Sequence, residues 1–171
     1  MPLIFKQCTH SDLEILVKVS KETFIVAFEK DNDPEDFKNY IEKAFSYAQL
    51  QNELENPDTF FYFAFDEQQL VGYFKLNIGE SQTDVYDELS LEIERIYVRE
   101  PFQGKKFGSQ MLGEIQKLTK EKNKAFIWLG VWEHNLSAIR FYQRHGFQKF
   151  GEHPYYIGTD KQTDWLLRLE L

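Results

Sequence analysis

The sequence predicts a mixed α/β (α+β) domain, with helices on both faces of a mostly antiparallel, twisted sheet. Three observations carry that reading. Apolar residues recur at helical spacing over 12–29. Residues 60–78 read as two apolar strands joined by a tight turn. Residues 91–130 read as strand, helix, strand, a unit whose two strands run parallel with a right-handed crossover. A length of 171 residues is one domain's worth, so 1–171 is read as a single domain.

The elements follow in order. Leu3-Ile4-Phe5 is a short strand. Thr9-His10-Ser11-Asp12 resembles a capping box, with Thr9 as N-cap and Asp12 at N3. Leu13, Leu16, Val17, Ser20, Phe24, Ala27 and Phe28 then give the first helix a buried face. Residues 35–46 and 47–55 are helical until Asn56-Pro57 stops the run. The hairpin turns at Asp66-Glu67-Gln68-Gln69, and a polar stretch, 79–88, reads as an exposed loop. The strand 91–98 is followed by a helix over 106–122, with Phe107, Met111, Leu112, Ile115 and Leu118 on one face. The strand 125–132 is strongly apolar. Asn135 caps a helix over 136–145, and Gly146 fits its C′ position. Strands over about 148–158 and 163–170 close the domain.

Composition narrows the function. Sixteen Phe, 9 Tyr and 3 Trp supply a core and rule out disorder for most of the chain. A net charge of −8 argues against nucleic acid as a general partner and is permissive for cationic ligands. The single cysteine, Cys8, excludes an intrachain disulfide and fits a reducing compartment. The longest apolar run, 60–65, is far short of a membrane span, and Met1 to Lys6 does not resemble a signal peptide. A cytoplasmic domain is expected. His10, His134, His145 and His153 lack metal-ligand spacing and read as surface or supporting positions, so no metal is expected.

Two stretches carry chemistry. Residues 96–109 run from a strand through Gln103-Gly104-Lys105-Lys106-Phe107-Gly108-Ser109 into a helix. Glycines there let backbone approach a ligand, and amides at a helix start favour phosphate; the spacing is neither a Walker A loop nor Gly-x-Gly-x-x-Gly. The second stretch sets Asn135 at a helix start, followed by Ala138, Phe141-Tyr142 and Gly146-Phe147. Together, in this order and separation, they resemble motifs A and B of the GNAT N-acetyltransferase superfamily, and the strand–helix order matches over the whole chain. Leu91 to Val98, Ile127 to Glu133, Gln162-Thr163-Asp164, Glu22-Thr23-Phe24 and Ala44-Phe45 look like the PaiA family, bacterial enzymes that acetylate spermidine and spermine.

The resemblance implies the GNAT fold, with a V-shaped splay between the strands 91–98 and 125–132 that takes acetyl-CoA. The backbone of Ile96, Tyr97 and Val98 would bind the pantetheine arm, with Asn135 touching it. Gln103 opens the motif. Amides of Gly104, Lys105, Lys106, Phe107, Gly108 and Ser109 would hold the pyrophosphate, with charge from Lys105, Lys106 and Arg144. The family's first motif glycine is here Lys106. A left-handed backbone at a non-glycine residue would cost roughly 1 kcal/mol, so a helical conformation with the side chain outward is expected at 106.

A thioester is already activated, so the acceptor amine is the harder problem. At an amine pKa of about 10.4, roughly one molecule in 2,500 is neutral at pH 7, a cost near ~4.6 kcal/mol. Glu92 and Glu94 share a strand face and are candidate bases; the resemblance favours Glu92, and both also read as polar positions of a half-solvated strand. Tyr142 matches the superfamily's general acid and also reads as a packed helix aromatic. Glu29, Asp31, Asp33 and Glu35 form an acidic segment between the first two helices, which the resemblance sets over the acceptor side; the same residues also read as a solvated, helix-capping loop. The expected activity is acetyl transfer to a polyamine by direct attack. Acetylation of a protein N-terminus or another small amine, and a non-catalytic CoA-binding regulator, remain open. So does the oligomeric state, a homodimer included.

Overall fold

The chain enters through β1 (Ile4–Gln7), and the turn after it is built as its sequence requires. Thr9 N–H donates to Asp12 Oδ2 at 2.9 Å, Lys6 Nζ lies 2.9 Å from Asp12 Oδ1, and α1 (Leu13–Phe28) follows. The computed structural model describes residues 2–171. Asp33 caps α2 (Pro34–Ala44) by accepting from Asp36 N–H, with Pro34 in the first helical turn. Ser46 caps α3 (Tyr47–Glu55) in the same way through Gln49 N–H. A two-residue turn at Glu67-Gln68 joins β2 (Thr59–Asp66) to β3 (Gln69–Asn77). Then come β4 (Ser90–Val98), α4 (Phe107–Glu121), β5 (Phe126–Trp132), α5 (Leu136–Arg144), β6 (Gln148–Ile157) and β7 (Asp160–Glu170).

These seven strands form one sheet in the order β1-β2-β3-β4-β5-β7-β6. Only β4 and β5 are parallel neighbours, as the 91–130 unit predicts. Helices cover both faces. Met111, Leu112 and Ile115 of α4, with Ile139 of α5, pack on Phe74, Leu76, Leu91, Ile93 and Ile127. Leu16, Phe24, Phe37, Ile41 and Leu50 of α1–α3 pack on Phe61, Phe63 and Tyr73 across the sheet. Among the described residues, no helix is long and apolar enough to cross a membrane.

One irregularity in β4 re-aims its side chains. Lys75 pairs with Arg95 while Leu76 pairs with Ile93, so Glu94 is an extra residue, a β-bulge. Strict alternation therefore breaks. Arg95 as well as Glu94 faces α1–α3, with its guanidinium 4.5 Å from the Phe45 ring centre. Beyond the bulge Ile96 and Val98 join the α4–α5 core, and Tyr97 the other.

Glycine 72 sets how closely β3 and β4 approach there. A Cβ at that position would collide with the Tyr97 carbonyl oxygen, and the obstacle is backbone. Gly72→Ala should therefore cost about 1–3 kcal/mol, as overpacking does. A thermal melt will read this as a drop in Tm of about 2–4 °C per kcal/mol. An unchanged Tm would mean that the strand pair accommodates the methyl group.

Candidate active site

The site exists because two parallel strands part company. The β4–β5 ladder holds only Ser90, Leu91 and Glu92 against Phe126, Ile127 and Trp128. Beyond it β4 stays with β3 to Val98, and β5 stays with β7 to Trp132. The divergence opens a cleft of about 1720 Å³ that runs between the strands to both faces of the sheet.

At the α4 end the wall is backbone. Ile96, Tyr97 and Val98 line the cleft along the β4 edge that faces away from β3, as do Gln103, Gly104, Lys106, Phe107, Gly108 and Ser109. The first amides of α4 have no intrahelical acceptor, so an anionic diphosphate fits this corner. Gln103 Nε2 donates to the Val98 carbonyl at 3.0 Å. Gly104 is left-handed, at φ +80°, with open space where a Cβ would be. Gly108 has a different reason to be small: a Cβ there would meet the Phe141 ring at 3.2 Å, so it lets α5 approach α4.

Lys106 departs from expectation. Its backbone is left-handed, φ 64° and ψ 20°, as the N-cap of α4. The chain must curl from the end of β4 into α4 over a few residues, and that demand overrides lysine's preference for a right-handed conformation. Lys105 does not line the cleft; its ammonium lies 5.9 Å from the Phe102 ring centre. Arg144 does line it, from the last turn of α5. Asn135 also lines the cleft while its Oδ1 accepts from Ala138 N–H at 3.3 Å, capping α5. Tyr142 both packs against Phe141 and Phe147 and faces the cleft. Its hydroxyl has no hydrogen-bond partner among the described residues, and burial raises its pKa, so the phenol keeps its proton. His145 donates from Nδ1 to the Phe141 carbonyl at 2.8 Å, and its Nε2 lies 3.0 Å from Ser109 Oγ.

Of the two candidate bases Glu92 is buried and Glu94 half-buried, and the fold separates their roles. Glu94 lies 2.9 Å from Lys75 Nζ and 3.3 Å from Arg95 Nη2. Burial alone would raise its pKa, but those two cations outweigh it and hold the carboxyl down to about 2. Glu92, 3% exposed, is paired with no cation among the described residues. Its Oε1 accepts from Asn77 Nδ2 at 3.0 Å and Thr83 N–H at 2.8 Å, and its Oε2 from Thr83 Oγ1. Burial, with Glu94 nearby, pushes its pKa above the ordinary carboxylate value despite those bonds. Both carboxylates line the cleft, and only Glu92 is disposed to take up a proton.

The acidic segment is mostly occupied elsewhere. Asp31 lines the cleft, whereas Glu29, Asp33 and Glu35 are exposed positions outside it, Asp33 serving as the α2 cap. The segment still closes this end: Gln162 Nε2 donates to Asn32 Oδ1 at 2.7 Å, and the Tyr40 and Tyr155 hydroxyls are 2.6 Å apart. The stretch 79–88 is not a free loop either. Gln82, 2% exposed, takes a hydrogen bond from Trp128 Nε1 at 2.7 Å, Thr83 holds Glu92, and Asp84 Oδ2 lies 2.8 Å from His153 Nδ1. Sequence reasoning missed Asn77, Gln82, Thr83, Asp84 and His153. Nothing local marks them, since each matters through a partner on another strand.

Comparison with known proteins agrees with this architecture. The model of the acetyltransferase (GNAT) family matches residues 21–147. An uncharacterized N-acetyltransferase of Lactobacillus delbrueckii subsp. lactis is 40% identical over 165 residues, covering 96% of this chain and 95% of its own. The spermidine N(1)-acetyltransferase of Thermoplasma acidophilum is 26% identical over 152 residues, covering 86% and 89%. A crystal structure of PaiA N-acetyltransferase from Thermoplasma acidophilum in complex with coenzyme A shares the fold, with a TM-score of 0.80, 23% identity and full coverage of both chains.

The left-handed Lys106 gives a direct test of this corner. Lys106→Gly should stabilise the protein by about 0.5–1 kcal/mol, the relief of left-handed strain less the extra entropy of the unfolded chain. Lys106→Val should destabilise it by about 1 kcal/mol, since a β-branched residue fits that conformation worse. Urea midpoints at constant m value measure both. Equal midpoints for the two variants would mean that residue 106 is right-handed.

Proposed function

The chain belongs to the acetyltransferase (GNAT) family, and from that membership we propose that it transfers acetyl from acetyl-CoA directly to a primary amine of a polyamine, spermidine or spermine, in a ternary complex. The observation that carries the proposal is one cleft with a phosphate-fitting corner at one end and an uncompensated carboxylate, Glu92, in its middle. The name of the Thermoplasma relative supports the acceptor class. So does the far end of the cleft, where Asp31, Asp84 and Asp164 stand among Tyr40, Tyr155 and Trp132. Carboxylates and aromatic faces both attract ammonium groups.

Acetyl-CoA supplies an activated thioester carbonyl. Ile96 to Val98 would hold its pantetheine arm as an added strand does, and the amides of Gly104 to Ser109 its pyrophosphate, with Arg144 adding charge. Asn135 would touch the arm from the start of α5. Orientation beside the amine then provides much of the rate. Glu92 takes the proton of the attacking ammonium, directly or through one water, and its raised pKa narrows the gap to the amine. The amine nitrogen forms the bond to the acetyl carbon as the carbon–sulfur bond breaks. Tyr142, kept protonated by burial, donates a hydrogen bond to the departing sulfur. A thiol pKa of about 8.5 lets that sulfur leave without a complete proton transfer.

Two isosteric variants test the roles. In Glu92→Gln the amide oxygen can still accept from Asn77 and Thr83 N–H, and the Thr83 hydroxyl can turn to accept from the new NH₂. Folding should survive while kcat/KM falls about 10²–10⁴-fold. Tyr142→Phe should lower kcat by about 10²-fold or less and leave CoA affinity within a few-fold. Stopped assays of CoA release, with mass spectrometry of products, across spermidine, spermine, a monoamine of similar length and a peptide N-terminus test the substrate. Polyamines should give the highest kcat/KM, with an advantage that shrinks as salt is added. Preference for the peptide would overturn the polyamine assignment. Binding of CoA without turnover of any amine would overturn catalysis itself.

A further inference from the structure

In the acceptor-side wall of the cleft, His153 of β6 stands between two carboxylates. Its Nδ1 is 2.8 Å from Asp84 Oδ2, and its Nε2 is 3.8 Å from Asp164 Oδ2. Asp84 comes from the stretch before β4, and Asp164 faces His153 across the β6–β7 ladder. From β5 the facing residue is Gly130, where a Cβ would stand 3.3 Å from Asp164 Oδ2 and 3.4 Å from His153 Nε2. That strand therefore adds no charge to the group, its residue opposite Asp164 in the ladder being Trp132. Asp31 and Glu92 share the same cleft. His153 and Asp164 are only 20% and 13% exposed, so water screens their attraction poorly. Asp164 and Asp84 together raise the imidazole pKa to about 9, against the opposing effect of burial, so the ring is a cation at neutral pH.

We propose that His153 is a resident cation that keeps the place of the acceptor's second, non-reacting ammonium, and that a polyamine binds by displacing it from Asp84 and Asp164. The inference rests on the polyamine reading above and adds how that acceptor is told from others. A polyamine must present one neutral amine for attack while its remaining nitrogens stay charged. An ammonium that replaces the imidazolium preserves the balance of two carboxylates and one cation. A monoamine, whose single nitrogen has to be neutral to react, offers no replacement and leaves the cluster shut. Displacement also moves a proton. The ring, freed from its carboxylates, returns toward its ordinary pKa of 6.5. Between that value and about 9, polyamine binding therefore releases a proton from His153 to solvent. Below this window the displaced ring stays charged, and above it the ring is already neutral.

The test is calorimetric titration of spermidine into the CoA complex of the full chain at about pH 8, in two buffers of different ionisation enthalpy. The wild type should release about one proton more than His153→Gln. In steady-state assays His153→Gln should lower the KM for spermidine about 5-fold, the worth of one part-exposed ion pair. Asp164→Asn should raise it about 10-fold. CoA affinity should stay constant in both variants, which certifies their fold. Equal proton release from wild type and His153→Gln overturns the proposal. So does a KM that rises in His153→Gln as it does in Asp164→Asn, because the cluster is then scaffolding. Failure of the substrate reading looks different: the wild type forms no acetylspermidine and binds none. Acetylspermidine formed with equal proton release counts against His153 alone.

Discussion

Two parallel strands that pair for three residues and then separate are the constraint on which the rest of this protein depends. A sheet is stable only where its backbone groups find partners, and past the split each of these strands stays paired on its outer side. The opening therefore costs only the inner edges. Those edges are what a ligand can pair with, while the two cores, on opposite faces, hold the strands at a fixed splay. The crossover helix α4 starts at the mouth of the opening, so its unpaired amides and the free edge of β4 reach the same space.

Charge inside the cleft is sorted by the neighbours of β4. The bulge at Glu94 turns both Glu94 and Arg95 toward α1–α3, where Lys75 and Glu53 complete a buried ion network. Buried charges of this kind are tolerated because they are paired. Glu92, two residues earlier, is left with hydrogen-bond donors alone. Three successive residues, Gln82, Thr83 and Asp84, then reach Trp128 on β5, Glu92 on β4 and His153 on β6. A short stretch without regular structure thus fixes one side chain on each of three strands.

Much of the architecture was legible because it is written locally. Thr9 and Asp12, Asn135 and Gly146, and the strand–helix–strand pattern of 91–130 each act over a few residues and appear as read. Positions decided at a distance were not legible. Glu92 and Glu94 look alike in sequence, and only Lys75, Asn77 and the bulge distinguish them. Lys106 would be right-handed on propensity; the tight path into α4 makes it left-handed. The acidic segment carried two meanings, and for Asp33 the capping one holds. His153, one of four histidines without a motif, gains its place from Asp84, 69 residues earlier.

The end of the cleft beside the last hairpin also has a bearing on how the chain folds. Its closure relies on side-chain contacts between the α1–α2 region and the last hairpin: Tyr40 with Tyr155, Asp36 with Thr159, and Asn32 with Gln162. These partners lie 115, 123 and 130 residues apart in the chain. Contacts of that span are entropically expensive to form before the intervening strands have joined, since they close most of the chain into a loop. The local helices and the β2–β3 hairpin carry no such burden. The end of the cleft that joins residues 32–40 to residues 155–162 therefore carries the larger loop-closure cost, and the helices and the hairpin the smaller.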